Sequence, residues 1–130
     1  SQAKTRAERE VVFQASRAME IMTREIKQAT GVYTPTSVFD AHPGQLSLAT
    51  NTAYTDFFLC GVHLCQKRES QNPFAITSSA VKVQNLVFHL INSSGAVPSL
   101  QIDFTLAANT SAAKPEYQAS VTILSTASLR

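Results

Sequence analysis

Between residues 1 and 30 the apolar side chains fall in steps of three and four: Val11, Ala15, Ala18, Met19, Met22, Ile26 and Ala29. That spacing gathers them into one stripe of a helix. The same stretch has no Gly and no Pro and is rich in Ala, Glu, Arg, Met and Gln, which cost little to hold in helical conformation. Glu20 and Arg24 stand at i and i+4 with the acid first, the favourable order. Gly31 follows where a left-handed C-cap residue is expected, and Pro35 blocks any continuation. A helix of that span is roughly 45 Å long, more than a domain of this size can cover. Ser1 to Glu10 carry many charges and no large apolar group, so this end is expected to project.

Beyond Gly31 the period changes to alternation. Pro43-Gly44 marks a loop, followed by a short strand around Gln45 to Ala49. Tyr54 to Cys60 and Cys65 to Arg68 read as a hairpin, and Ala80 to Ile91 as a long strand. Leu86 to Ile91 is apolar on both faces, as in a central strand covered on each side. Leu100, Ile102, Phe104 and Leu106 alternate with Gln101, Asp103 and Thr105, a half-buried strand. Tyr117, Ala119, Val121 and Ile123 repeat the pattern, and a slip at Ile123-Leu124 predicts a bulge. Short connections make neighbouring strands antiparallel, and the helical stripe is the one element able to cover their apolar face. The expected fold is α+β. One long helix (1–30) lies on an antiparallel sheet of four or more strands, with loop, short strands and hairpin over 31–79 and the main strands over 80–130.

The length of 130 residues suits one domain with its own core. A hydrophobic fraction of 44% argues against wholesale disorder. The net charge of +2 is too small to call for a polyanionic partner, leaving Lys67-Arg68 as the one basic pair through which nucleic acid could be touched. No apolar run approaches the roughly 20 residues of a membrane helix. The sequence opens on Ser1 and shows no secretory signal, as a processed or trimmed chain would.

Candidate chemistry is sparse. There is no Gly-x-Ser-x-Gly elbow and no phosphate-cradling loop. His42, His63 and His89 lie in separate segments, and Asp40, Asp56, Asp103 and Glu116 are isolated along the chain. His89 reads as a partly buried side chain with a hydrogen-bond partner. Tyr33, Tyr54 and Tyr117 are scattered and there is no Trp, so no aromatic binding platform is legible. An enzyme is not expected, nor a metal, cofactor or small-molecule substrate. The only cysteines, Cys60 and Cys65, flank what reads as a four-residue hairpin loop that can set them opposite each other. A disulfide is favoured over two free thiols. A zinc site using Cys60, His63 and Cys65 lacks a fourth ligand nearby. Such a bond implies folding outside the cytoplasm.

Two segments carry a resemblance. Ala15 to Ala29 followed by Thr30-Gly31-Val32-Tyr33 resembles the C-terminal half of the long helix of type IV pilin-like proteins. Val81 to Phe88 is similar to the central strand of minor pilins and pseudopilins of the J-like type. Leu100 to Leu106 and Ser125 to Arg130 resemble the strands that follow. The resemblance implies a filament subunit at the cell surface or in the periplasm, with the precursor anchored in the membrane by an apolar helix ahead of Ser1. A membrane peptidase would trim that precursor, and its new amine is commonly methylated. The implied partners are other pilin or pseudopilin subunits, met through the N-terminal helix, and the inner-membrane assembly machinery. The alternative is an extracellular binding or adhesin module.

Overall fold

The computed structural model describes residues 2–92, 97–109 and 119–130. Helix α1 runs Gln2–Gln28. It is followed by β1 (Gly31–Val32), a 3-10 turn at Thr34–Thr36, β2 (Leu46–Ala49), β3 (Tyr54–Cys60), β4 (His63–Arg68), β5 (Phe74–Ala75), β6 (Val81–Ile91), β7 (Ser99–Ala108) and β8 (Ser120–Ser128). All pairings between the strands are antiparallel. The α+β class and the helix-first order are therefore as the pattern implies. The single sheet is not: the strands form a five-stranded sheet β1-β2-β3-β4-β5 and a three-stranded sheet β6-β7-β8.

The helix lies along the smaller sheet, chiefly over β7 and β8. Leu100, Ile102, Phe104 and Leu106 of β7 are fully buried beneath it, as the alternation requires. Leu46, Leu48, Phe57 and Leu64 of the larger sheet join the same apolar cluster, so helix and both sheets share one core. Removing that much apolar surface from water is the main term favouring the fold.

Four local expectations are corrected. The helix ends at Gln28, and Gly31 is not a left-handed cap. It carries no positive φ and pairs with Ala49 in β1, while the N–H of Thr30 bonds to the carbonyl of Ala49 at 2.9 Å. Tertiary pairing thus takes the chain out of the helix where a glycine cap had been anticipated. Strand β6 is not central: β7 is, and the outer face of β6 is only half covered. The slip at Ile123-Leu124 is no bulge, because β7 and β8 stay in register from Ser99↔Ser128 to Ala107↔Ser120. Leu124 simply faces solvent at 62% exposure, and the irregularity of this sheet lies in β6 between Val83 and Asn85. Finally, the hairpin loop is two residues, Gly61-Val62, with β4 beginning at His63. Gly61 has φ 62°, at the loop position where tight hairpins favour glycine.

The sheets meet edge to loop. The N–H of Val83 in β6 bonds to the carbonyl of Val62 at the hairpin tip (2.8 Å). The free edge of β6 is further taken up by Asp40 N–H to Phe88 O (2.9 Å), Gly44 N–H to Leu86 O (2.8 Å), and Leu86 N–H to His42 Nδ1 (2.9 Å).

Candidate functional site

Every member of the predicted stripe is buried: Val11, Ala15, Ala18, Met19, Met22, Ile26 and Ala29. Small residues at 15, 18 and 29 let the helix sit low on the strands, while Met22 and Ile26 fill the space between. Polar contacts then fix its rotation. Gln14, also buried, accepts from the N–H of Ser78 through Oε1 (3.3 Å) and donates through Nε2 to Glu10 Oε1 (3.0 Å). Arg17 Nη1 donates to the carbonyl of Ile76 (3.0 Å). Glu25 Oε1 accepts from Gln66 Nε2 (3.0 Å) and Arg68 Nη2 (3.2 Å), tying the helix to β4. Gln14 was invisible to a hydrophobic count, although its place one residue before Ala15 puts it at the border of the stripe.

The upstream part of the helix is different. From Thr5 to Glu10 no side chain is buried, and Val11 is the first to reach the core. Val12 and Phe13 are 50% and 61% exposed. Thr5, Glu8, Arg9, Val12 and Phe13 line one shallow groove along the helix. At 100° per residue this second stripe lies about 100° round from the first. The helix therefore has one face committed to its own sheet and a second, partly apolar face turned outward.

Cys60 and Cys65 form a disulfide with a Cα–Cα distance of 5.8 Å. They are not directly opposite, as a longer loop would have made them. Cys60 pairs with His63 and Cys65 with Phe58, so the bond is diagonal across two rows on one face. With both sulfurs bonded to each other, neither is a thiolate ligand for a metal.

The histidines and carboxylates were read as separate, and one pair proves otherwise. His89 Nδ1 meets Asp40 Oδ1 at 2.6 Å, on an exposed part of the surface. His42 accepts a backbone N–H and is a loop anchor. His63 Nδ1 is buried without a hydrogen-bond partner beside the disulfide. No group of three or more His, Cys, Asp and Glu that could hold a metal occurs among the described residues. Asp103 and Asp56 lie in β7 and β3, apart from each other, and Glu116 falls outside the described residues. Of the basic pair, Arg68 is bound to Glu25 and Lys67 stands opposite Asp56 in the ladder, so each faces a carboxylate.

Tyr33 and Tyr54, far apart in sequence, come together edge-to-face with ring centroids 5.1 Å apart. In the row Gly31–Ala49–Tyr54 the first two residues are small, and Tyr33 meets Tyr54 across it. Both rings are partly exposed. Tyr117 lies outside the described residues.

No protein family, curated protein or solved structure matches this chain. No helix among the described residues is long and apolar enough to cross a membrane.

Proposed function

We propose that this chain is the head of a type IV pilin-like filament subunit, in a pilus or a type II secretion-like filament. The observation that carries the reading is the division of labour along α1. From Val11 onward the helix seals the three-stranded sheet, whereas no side chain from Thr5 to Glu10 is fully buried and Val12 and Phe13 turn outward. A helix packed on its sheet at one end and largely exposed at the other suits a spine built by helices packing against helices. In such a polymer each head repeats by the same step, an open heterologous symmetry. The disulfide agrees with an oxidising compartment such as the periplasm or cell surface.

The proposal requires α1 to continue upstream as an apolar segment, about 25 to 35 residues in all and enough to span a bilayer. The reading frame ahead of Ser1 tests this directly. A mostly apolar stretch with a short cleavable leader supports the filament. A polar linker or an unrelated domain in that place removes it.

One observation favours a second reading, an extracellular binding module. The Tyr33–Tyr54 pair brings two partly exposed rings together on the larger sheet, and an exposed ring face is what the C–H face of a sugar stacks upon. Specific signals on a glycan array that disappear in Tyr33→Ala and Tyr54→Ala would promote it. An array on which the unaltered chain binds nothing would remove it.

A further inference from the structure

Among the described residues the sheets leave one long edge bare. β1 and β5 are two residues each, β2 is flanked by the Val38↔Gln45 bridge, and β6 is covered by the 40–44 loop and the hairpin tip. Strand β8, nine residues Ser-Val-Thr-Ile-Leu-Ser-Thr-Ala-Ser, has β7 on one side and no described strand on the other. It contains no charge, no proline and no break in register, the devices with which proteins ordinarily protect an edge.

The hydrogen-bond phase of β8 can be read from its ends. Ala108 N–H bonds to Ala119 O, and Leu129 N–H bonds to Pro98 O. In an antiparallel ladder the narrow pairs alternate, so the odd-numbered residues from 119 to 129 are the ones bonded to β7. The backbone groups of Ser120, Thr122, Leu124, Thr126 and Ser128 therefore point away from the sheet. Arg130, next in this series, shows the direction by donating its N–H to Ala29 O at the end of the helix (3.1 Å). That contact closes the edge just past Ser128 and leaves Ser120 to Ser128 open.

We infer that β8 pairs with β8 of a second copy of this chain, antiparallel about a two-fold axis at Leu124. The strand is nearly symmetric in side-chain type around its midpoint. Two-fold pairing sets Leu124 against Leu124, Thr122 against Thr126 and Ser120 against Ser128. On the inner face it sets Val121 against Ala127 and Ile123 against Ser125. All five outward residues fall into narrow pairs, each giving and taking one backbone bond. Leu124, the most exposed large hydrophobic side chain among the described residues at 62%, gains its own copy as a neighbour. The half-buried Val121 and Ile123, which lie at the rim of the helix-covered face, gain cover as well. The product is a continuous six-stranded sheet with both helices on one side and running in opposite directions. Because the two helices run in opposite directions, this closed pairing belongs to free heads and is not a contact between neighbours of the proposed filament, whose subunits repeat in one sense.

Sedimentation velocity on the 130-residue chain, from micromolar to millimolar concentration, tests this together with residue-resolved hydrogen exchange. The expected result is a monomer–dimer equilibrium. Amides of Ser120, Thr122, Leu124, Thr126 and Ser128 should gain protection as concentration rises, while those of Val121, Ile123, Ser125 and Ala127 are protected throughout. Leu124→Lys opposes two like charges and should weaken the dimer by about tenfold or more. Thr126→Pro removes only an outward N–H and should do the same, with circular dichroism verifying that both variants keep the fold. A chain that stays monomeric at millimolar concentration overturns the inference. So does a dimer whose five outward amides still exchange freely, or one that both folded variants form as readily as the parent.

Discussion

Met22 is fully buried between the helix and the strands, in contact with a cluster that has no polar partner to offer a charge. Met22→Asp places a carboxylate there, and the folded state must either desolvate it or open around it. The cost is several kcal/mol, on the scale of the whole stability of a domain this small. Loss of the cooperative thermal transition in circular dichroism is the expected outcome, whereas Met22→Leu should keep it. Glycine positions separate in the opposite way to their apparent roles in the chain. Gly31, which looks like a helix cap, has no positive φ and no atom within 4 Å of a built Cβ, so Gly31→Ala should be neutral or gain up to about 1 kcal/mol. Gly61 also has open space around it but holds φ 62°, and Gly61→Ala should cost about 1 kcal/mol in a denaturant titration.

At the scale of elements, the helix and the strand β7 were legible because each has a single strong period and one face in contact with the core. Seven positions read as one stripe are buried as one stripe. What escaped the sequence was pairing. Nothing local says that the Gly31 backbone will join Ala49, that β6 will be an edge, or that Tyr33 will meet Tyr54, since each depends on chain brought from elsewhere. Leu124 was misread for the same reason: two apolar neighbours look like a register slip until the partner strand shows an unbroken ladder. The hairpin gives an element-scale prediction. Its disulfide links residues only five apart, so it restrains the unfolded chain weakly and contributes by order 2 kcal/mol. The double substitution Cys60→Ser, Cys65→Ser should lower Tm by several degrees without unfolding the protein. A thiol assay on the unreduced parent should find neither sulfur reactive.

On the scale of the whole molecule the surfaces divide into three. The helix turns Val12 and Phe13 outward, the larger sheet displays a tyrosine pair, and the smaller sheet presents a bare edge. The candidate site was only partly visible beforehand, because outward apolar residues such as Phe13 fall between the positions of the core stripe. They look like noise in a periodicity count.

The helix is the first element of the chain, and the strands it chiefly covers are the last two. A ribosome therefore releases the lid long before it delivers what the lid closes, and the oily stripe stays open until β7 and β8 have been made. Sequence separation of that kind slows folding. The filament reading gives this delay a use, since that reading requires export and a translocating channel needs its cargo unfolded. A stalled nascent chain ending before Ser99 should accordingly be cut by protease throughout α1, and release of the complete polypeptide should abolish that sensitivity.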